Sequence, residues 1–215
     1  NYIIEVQGVS KYFGEKVAEG YPSSWSGNEV AKFNRWTSSE GNRENIEVAM
    51  NGEGRFTVTF EGLSVGNTVD AYVPAASWGD AKNQWYDSYP YAEAVRDYTV
   101  PAEQNPSATS VDEKAHILKA STTYEGGNTM DLYFEHQVAY GKLSLQNYEG
   151  GEISQYAITL DGKMYVVNST LDTGVWFGCN PVAEVKNMSI SVVAAEVGFN
   201  ATNGKIHLSH LPRSR

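Results

Sequence analysis

Cysteine is almost missing: Cys179 stands alone among 215 residues, so no disulfide can form within the chain and no covalent staple holds the fold. A solitary thiol of this kind reads as a small core residue rather than a nucleophile. No apolar run reaches the roughly eighteen residues that would cross a bilayer as a helix. Basic residues are scarce as well. Sixteen Lys and Arg face twenty-six Asp and Glu, a net charge of −10, which repels phosphate backbones and anionic lipid heads and excludes nucleic acid as a partner. The motifs G-x-S-x-G, G-x-G-x-x-G after a strand, the P-loop and H-E-x-x-H are all absent. So is any apolar stripe of helical period lasting three turns, and any repeat at fixed spacing, so helix should be minor.

What is present is aromatic and β-prone. The chain holds 14 Tyr, 5 Trp and 20 Gly, with Ser, Thr and Asn between short apolar runs, a profile of extracytoplasmic β-rich proteins. It begins at Asn1 rather than Met, from which a trimmed mature form is expected. Sequons at Asn168, Asn187 and Asn200 matter only in a glycosylating secretory pathway, and in a chain this rich in Asn, Ser and Thr they arise readily by chance.

Alternation marks the strands. "NYIIEVQGV" sets Tyr2, Ile4 and Val6 on one face and opens the fold as a strand. Asn51-Gly52 lies between two β-prone runs as a hairpin turn, after which Phe56, Val58 and Phe60 alternate with Thr57 and Thr59. Residues 78–98 are polar and aromatic and read as a long surface loop with at most one helical turn. Ser110 is a possible cap for a short turn in "VDEKAHILKA", although "HILKAS" reads equally well as extended. From residue 128 onward, "MDLYFEHQVAYGKLSL", "GEISQYAITLDG", "KMYVVN", "GVWFG", "KNMSISVVAAEV" and "GKIHLSHL" form a series of short strands parted by Gly, Asn and Asp, as in a Greek-key sandwich. Residues 1–127 carry eighteen acids and ten bases and residues 128–215 eight and six, so the halves differ at −8 and −2. Two domains, 1–127 and 128–215, are expected on this asymmetry.

Candidate chemistry is thin. His207 and His210 lie three apart, which in a strand turns the rings to opposite faces and leaves no chelating pair. Asp112 and His116 lie four apart, a routine spacing for an ion pair. No two carboxylates stand out as a glycosidase pair, and no catalytic group, metal or cofactor is expected. In "MDLYFEHQVAYGKLSL", Glu135 and His136 are adjacent and face opposite ways, so they cannot act as one catalytic unit. His136 instead shares a face with Met130, Leu132, Phe134 and Val138. The informative feature is "WGDAKNQWYDSYPY", where Trp78, Trp85, Tyr86 and Tyr89, with Trp25 and Trp36, offer flat rings to a glycan or a protein partner. The same rings also serve to pack over the open ends of a sandwich.

The order of four segments resembles the fimbrillin family of Bacteroidales, the subunits and accessory proteins of major and minor fimbriae. They are "SWSGNEVAKF", "DAYVPAAS", "YTVPAEQNPSATSVDEKAHILKAS" and "MDLYFEHQVAYGKLSL", the last similar to an apolar strand with an F-x-H step at Phe134 and His136. Together they span residues 25–145; residues 146–215 are compatible with the likeness. The resemblance implies two transthyretin-like or Greek-key β-sandwiches in a lipoprotein precursor displayed on the outer surface. It also implies polymerisation after an N-terminal strand is removed by proteolysis and replaced by a neighbour's strand. Arg35 and Arg43, in "FNRWTSSEGNR", are the candidate processing residues for a trypsin-like protease. Two departures stand out: no lipobox Cys lies near the start, and the 88 residues of 128–215 fall short of the ~100 of an immunoglobulin-sized sandwich, so that the second domain is expected to be incomplete. The expected partners are other fimbrial subunits or surface ligands. The alternative reading is a surface glycan-binding lipoprotein using residues 78–91, and an enzyme comes third.

Overall fold

The computed structural model describes residues 3–8, 26–37, 41–51, 55–85, 92–182, 185–195 and 206–210. The protein is all-β and sandwich-like: among the described residues there is no α-helix, and the strand pairs are antiparallel except for one. The chain forms two compact units. The first comprises Asn1–Ser23, Val100–His116 and Val138–Arg215, and the second Ser24–Thr99 and Ile117–Gln137. This interleaving replaces the expected sequential division at 127/128. Sheets recruit strands by hydrogen bonding and a shared buried face, and neither requires neighbours in sequence.

In the first unit one sheet has the order β1 (Ile3–Gly8), β10 (Ala139–Gln146), β13 (Val175–Cys179). The other runs β15 (Ile206–His210), β14 (Met188–Ala195), β11 (Ile153–Leu160), β12 (Lys163–Asn168), β7 (Glu103–Gln104). Alternation explains the burial. Tyr156, Ile158 and Leu160 of β11, Tyr165 and Val167 of β12, and Ile190, Val192 and Ala194 of β14 are buried. β13 is buried along its whole length. Gly141 of β10 pairs with Phe177, whose ring lies across it, so that a Cβ at Gly141 would come within 2.1 Å of Phe177 Cζ. The β11–β12 hairpin turns at Asp161 and Gly162, both left-handed at φ 47° and 85°, as a two-residue loop requires. The Asp161 carboxylate then accepts the backbone N–H groups of Lys186 and Asn187.

β1 and β7 come from outside residues 128–215, which accounts for the shortage counted in that segment. β7 is joined to the other sheet by a side chain. Gln104 is fully buried; its amide N–H donates to Gly178 O at 2.7 Å and its carbonyl accepts from Gly178 N at 2.8 Å. The amide thus imitates a backbone pair between two sheet edges.

The second unit has a sheet of order β3 (Gly41–Ala49), β2 (Val30–Thr37), β4 (Thr68–Val73), β8 (Leu118–Thr123), β9 (Glu135–His136), and a hairpin of β5 (Lys82–Trp85) with β6 (Ala92–Val95). One face buries Ala31, Phe33, Val69, Ala71, Val73, Leu118 and Ala120. Phe56, Val58, Phe60, Leu63, Met130, Leu132 and Phe134 pack against it, only partly buried. Phe56 meets Phe33 edge-on at 5.7 Å.

Several local expectations change. β3 pairs back onto β2, and the run from Phe56 to Phe60 belongs to no strand. It alternates in burial as expected, but alternation reports which way side chains face, not whether the backbone has a partner. Gly52 lies outside the described residues. Residues 78–98 hold the β5–β6 hairpin rather than a plain loop. The short turn at Glu113–Ala115 is capped by Asp112, not Ser110, and "HILKAS" continues into β8. The stretch "MDLYFEHQVAYGKLSL" divides between units after Gln137, so it is not the first strand of a second domain.

Candidate functional site: strand edges and the aromatic cluster

Tyr72 and Asn34 point away from the apolar face of the second sheet, yet both are fully buried. The cover is supplied from residues 75–98: the β5–β6 hairpin lies against β2 and β3. Arg96 donates from Nε to Asn34 Oδ1 at 2.8 Å, from Nη2 to Asn45 Oδ1 at 2.6 Å and from Nη1 to Gly79 O at 2.5 Å. Its guanidinium lies 5.5 Å from the Tyr72 ring centre. Desolvation lowers the Arg96 pKa, against the pull of Tyr72, Asp80 and Glu47. Asp70, also buried, accepts from the Trp36 indole at 3.0 Å. Sequence reading missed this network, because polar residues alternating with apolar ones on a strand look like a solvated face.

Trp78 belongs to the same cover and is 5% exposed. Its indole N–H donates to Val73 O at 3.0 Å, and its ring meets Tyr72 and Tyr98 edge-on at 4.8 and 5.2 Å. Lys32 donates to Trp78 O at 2.6 Å. Trp78 is therefore corrected from a surface platform to a packing residue, since a buried ring offers no face to a sugar. Burial raises the Tyr98 hydroxyl, which donates to Gln137 O at 3.1 Å. Trp85 lies in β5, but its side chain, like Tyr86 and Tyr89, falls outside the described residues.

The two candidate processing residues lie in strands rather than a loop. Arg35, in β2, is 6% exposed and donates from Nη1 to Glu61 O at 2.6 Å. A protease needs an accessible, extended backbone, and the β2 ladder denies it at Arg35. Arg43 lies in β3, and its side chain is outside the described residues.

His136 pairs with Leu118 of β8 and is half-buried. This puts it on the apolar side with Phe134, away from Glu135. Asp112 accepts the backbone N–H groups of Asn105 at 2.7 Å and Lys114 at 2.9 Å. His116 lies against Tyr140, ring centres 6.2 Å apart. His207 and His210 fall in β15, with side chains outside the described residues. Burial pushes the Cys179 thiol up to about 12, as suits a core residue. Among the described residues no three His, Cys, Asp or Glu are grouped to hold a metal ion.

The remaining candidate is a sheet edge. β1 occupies one border of a three-stranded sheet and among the described residues pairs only with β10, from Ile3 opposite Gln146 to Gly8 opposite Gly141. β15 likewise borders its sheet, paired with β14. The first and last described strands are thus both paired within the chain. The chain matches no protein-family model, no curated protein and no solved structure. The fimbrillin likeness accordingly rests on its four sequence segments.

Proposed function

We propose that this chain is a structural or adhesive subunit of a fimbria-like surface polymer, exported as a membrane-anchored precursor and assembled with other subunits by strand exchange. The observation that supports this is the position of β1: a strand at the border of its sheet, with β10 as its one neighbour among the described residues. Losing it would free the main-chain edge of β10 beside the buried Leu143 and Leu145. An incoming strand would replace those hydrogen bonds, with alternate side chains setting its register. Burial of about 1.5–3 kcal/mol for each large apolar side chain that it covers would favour uptake. No active site is part of this reading. The glycan-binding alternative has lost Trp78, and no described feature favours it.

The test is to insert a specific protease site after residue 10, fold the intact chain, cleave, and follow mass by light scattering. Concentration-dependent oligomers should form after cleavage, and a synthetic peptide of residues 1–9 should block them. A cleaved protein that has released its N-terminal peptide and stays folded and monomeric would remove this reading.

A further inference from the structure

The five-stranded sheet of the second unit ends in a fork. β8 pairs with β4 along its full length, but on its other side it holds β9 only through Leu118 opposite His136 and Lys119 opposite Glu135. Beyond those two pairs the backbones part. A continued register would lay residues 131–134 opposite 123–120. Instead, no backbone hydrogen bond joins them, and residues 129–133 have none to any described residue. Among the described residues nothing pairs with the outer edge of residues 120–123, where Ser121 and Thr123 are exposed and Thr122 is half-buried. Met130, Leu132 and Phe134 turn onto the apolar cluster without being fully covered. Neither proline nor a bulge protects the edge, although protection of that kind is how proteins ordinarily prevent strand addition.

Charge decides what fits. Glu125, Asp131 and Glu135 are exposed around the fork. The one Lys or Arg within residues 118–137 is Lys119, which lies opposite Glu135 on the face away from the apolar cluster, its ammonium 5.5 Å from the Tyr72 ring centre. The second unit as a whole has fourteen Asp and Glu against seven Lys and Arg.

We propose that this fork docks an extended, cationic strand of a partner protein. Its main chain pairs with residues 120–123. Its alternate apolar residues lie beside Thr122, Leu132 and Phe134, and its Lys or Arg residues face Glu125, Asp131 and Glu135. The ladder supplies affinity and alternation supplies register, while the carboxylates speed encounter and reject acidic strands. The site is in the other unit from the β1 edge and does not depend on exchange there.

The probe is the blocked peptide Lys-Val-Lys-Ile-Lys-Val-Lys-Val added to the intact chain, read by fluorescence anisotropy and by hydrogen–deuterium exchange. Binding should slow exchange at residues 120–123 and weaken with salt. It should fall at least about tenfold for a folded Asp131→Lys/Glu135→Lys variant, for a peptide with Glu in place of Lys, and for an N-methylated peptide that lacks ladder donors. Equal binding by the double variant overturns the proposal, as does protection confined to other segments. Self-association that protects residues 120–123 without peptide also overturns it and assigns the edge to a second copy.

Discussion

Trp78 carries two kinds of stabilisation at one position, a buried ring between Tyr72 and Tyr98 and a satisfied indole N–H on Val73. Trp78→Ala should therefore cost about 3–5 kcal/mol in urea unfolding, the range for deleting a large buried aromatic. Glu29 gives a pH-dependent counterpart. Burial raises its pKa, but its own N–H, the N–H groups of Ser26 and Gly27 and the Ser26 hydroxyl outweigh that and leave it lowered. A carboxylate depressed in the folded state stabilises above its unfolded pKa and loses that contribution as pH falls through the folded one. The melting-temperature gap between the parent and Glu29→Gln should be present at neutral pH and close as pH drops below about 4. Residue types alone mark Cys179 as core, and it is. They cannot separate Trp78 from an exposed ring, because Trp serves packing and recognition equally well.

Elements with long alternation were legible. β11 and β14 each keep large apolar residues on one side over 8 residues, and the Asp161-Gly162 turn declares its hairpin. The run from Phe56 to Phe60 shows the limit, since its alternation is real and its ladder is absent. β7, only 2 residues long, had no sequence signal at all. It is held by pairing with β12 and by the Gln104 amide on Gly178. Gln104→Leu keeps the volume but strips both partners from Gly178, and an unsatisfied buried polar group costs about 1–3 kcal/mol. The variant should unfold at correspondingly lower denaturant, with faster amide exchange at Gly178.

For the whole molecule, the interleaved division makes a distinct prediction. Residues 128–215 carry six of the eight described strands of the first unit, while β1 and β7 lie elsewhere. That fragment expressed alone should lack a cooperative thermal transition. Adding residues 1–8 and 100–116 through flexible linkers should restore one. A cooperative transition in 128–215 alone would mean that β1 and β7 are dispensable. The charge asymmetry along the sequence signalled two units but not their borders, because charge reports surface composition and says nothing of which strands share a sheet.

The sequence by itself determined the all-β class, the absence of disulfides, most strand positions and the apolar side of Phe134 and His136. These follow from composition and from the two-residue period of a strand, both local properties. Only the tertiary structure decided that β1 and β7 join the strands after residue 138 and that Arg96 and Trp78 are interior. It alone parted β8 from the chain beside it beyond Lys119. Each of those depends on which distant backbone supplies a hydrogen bond or a covering side chain, and local alternation carries no record of that choice.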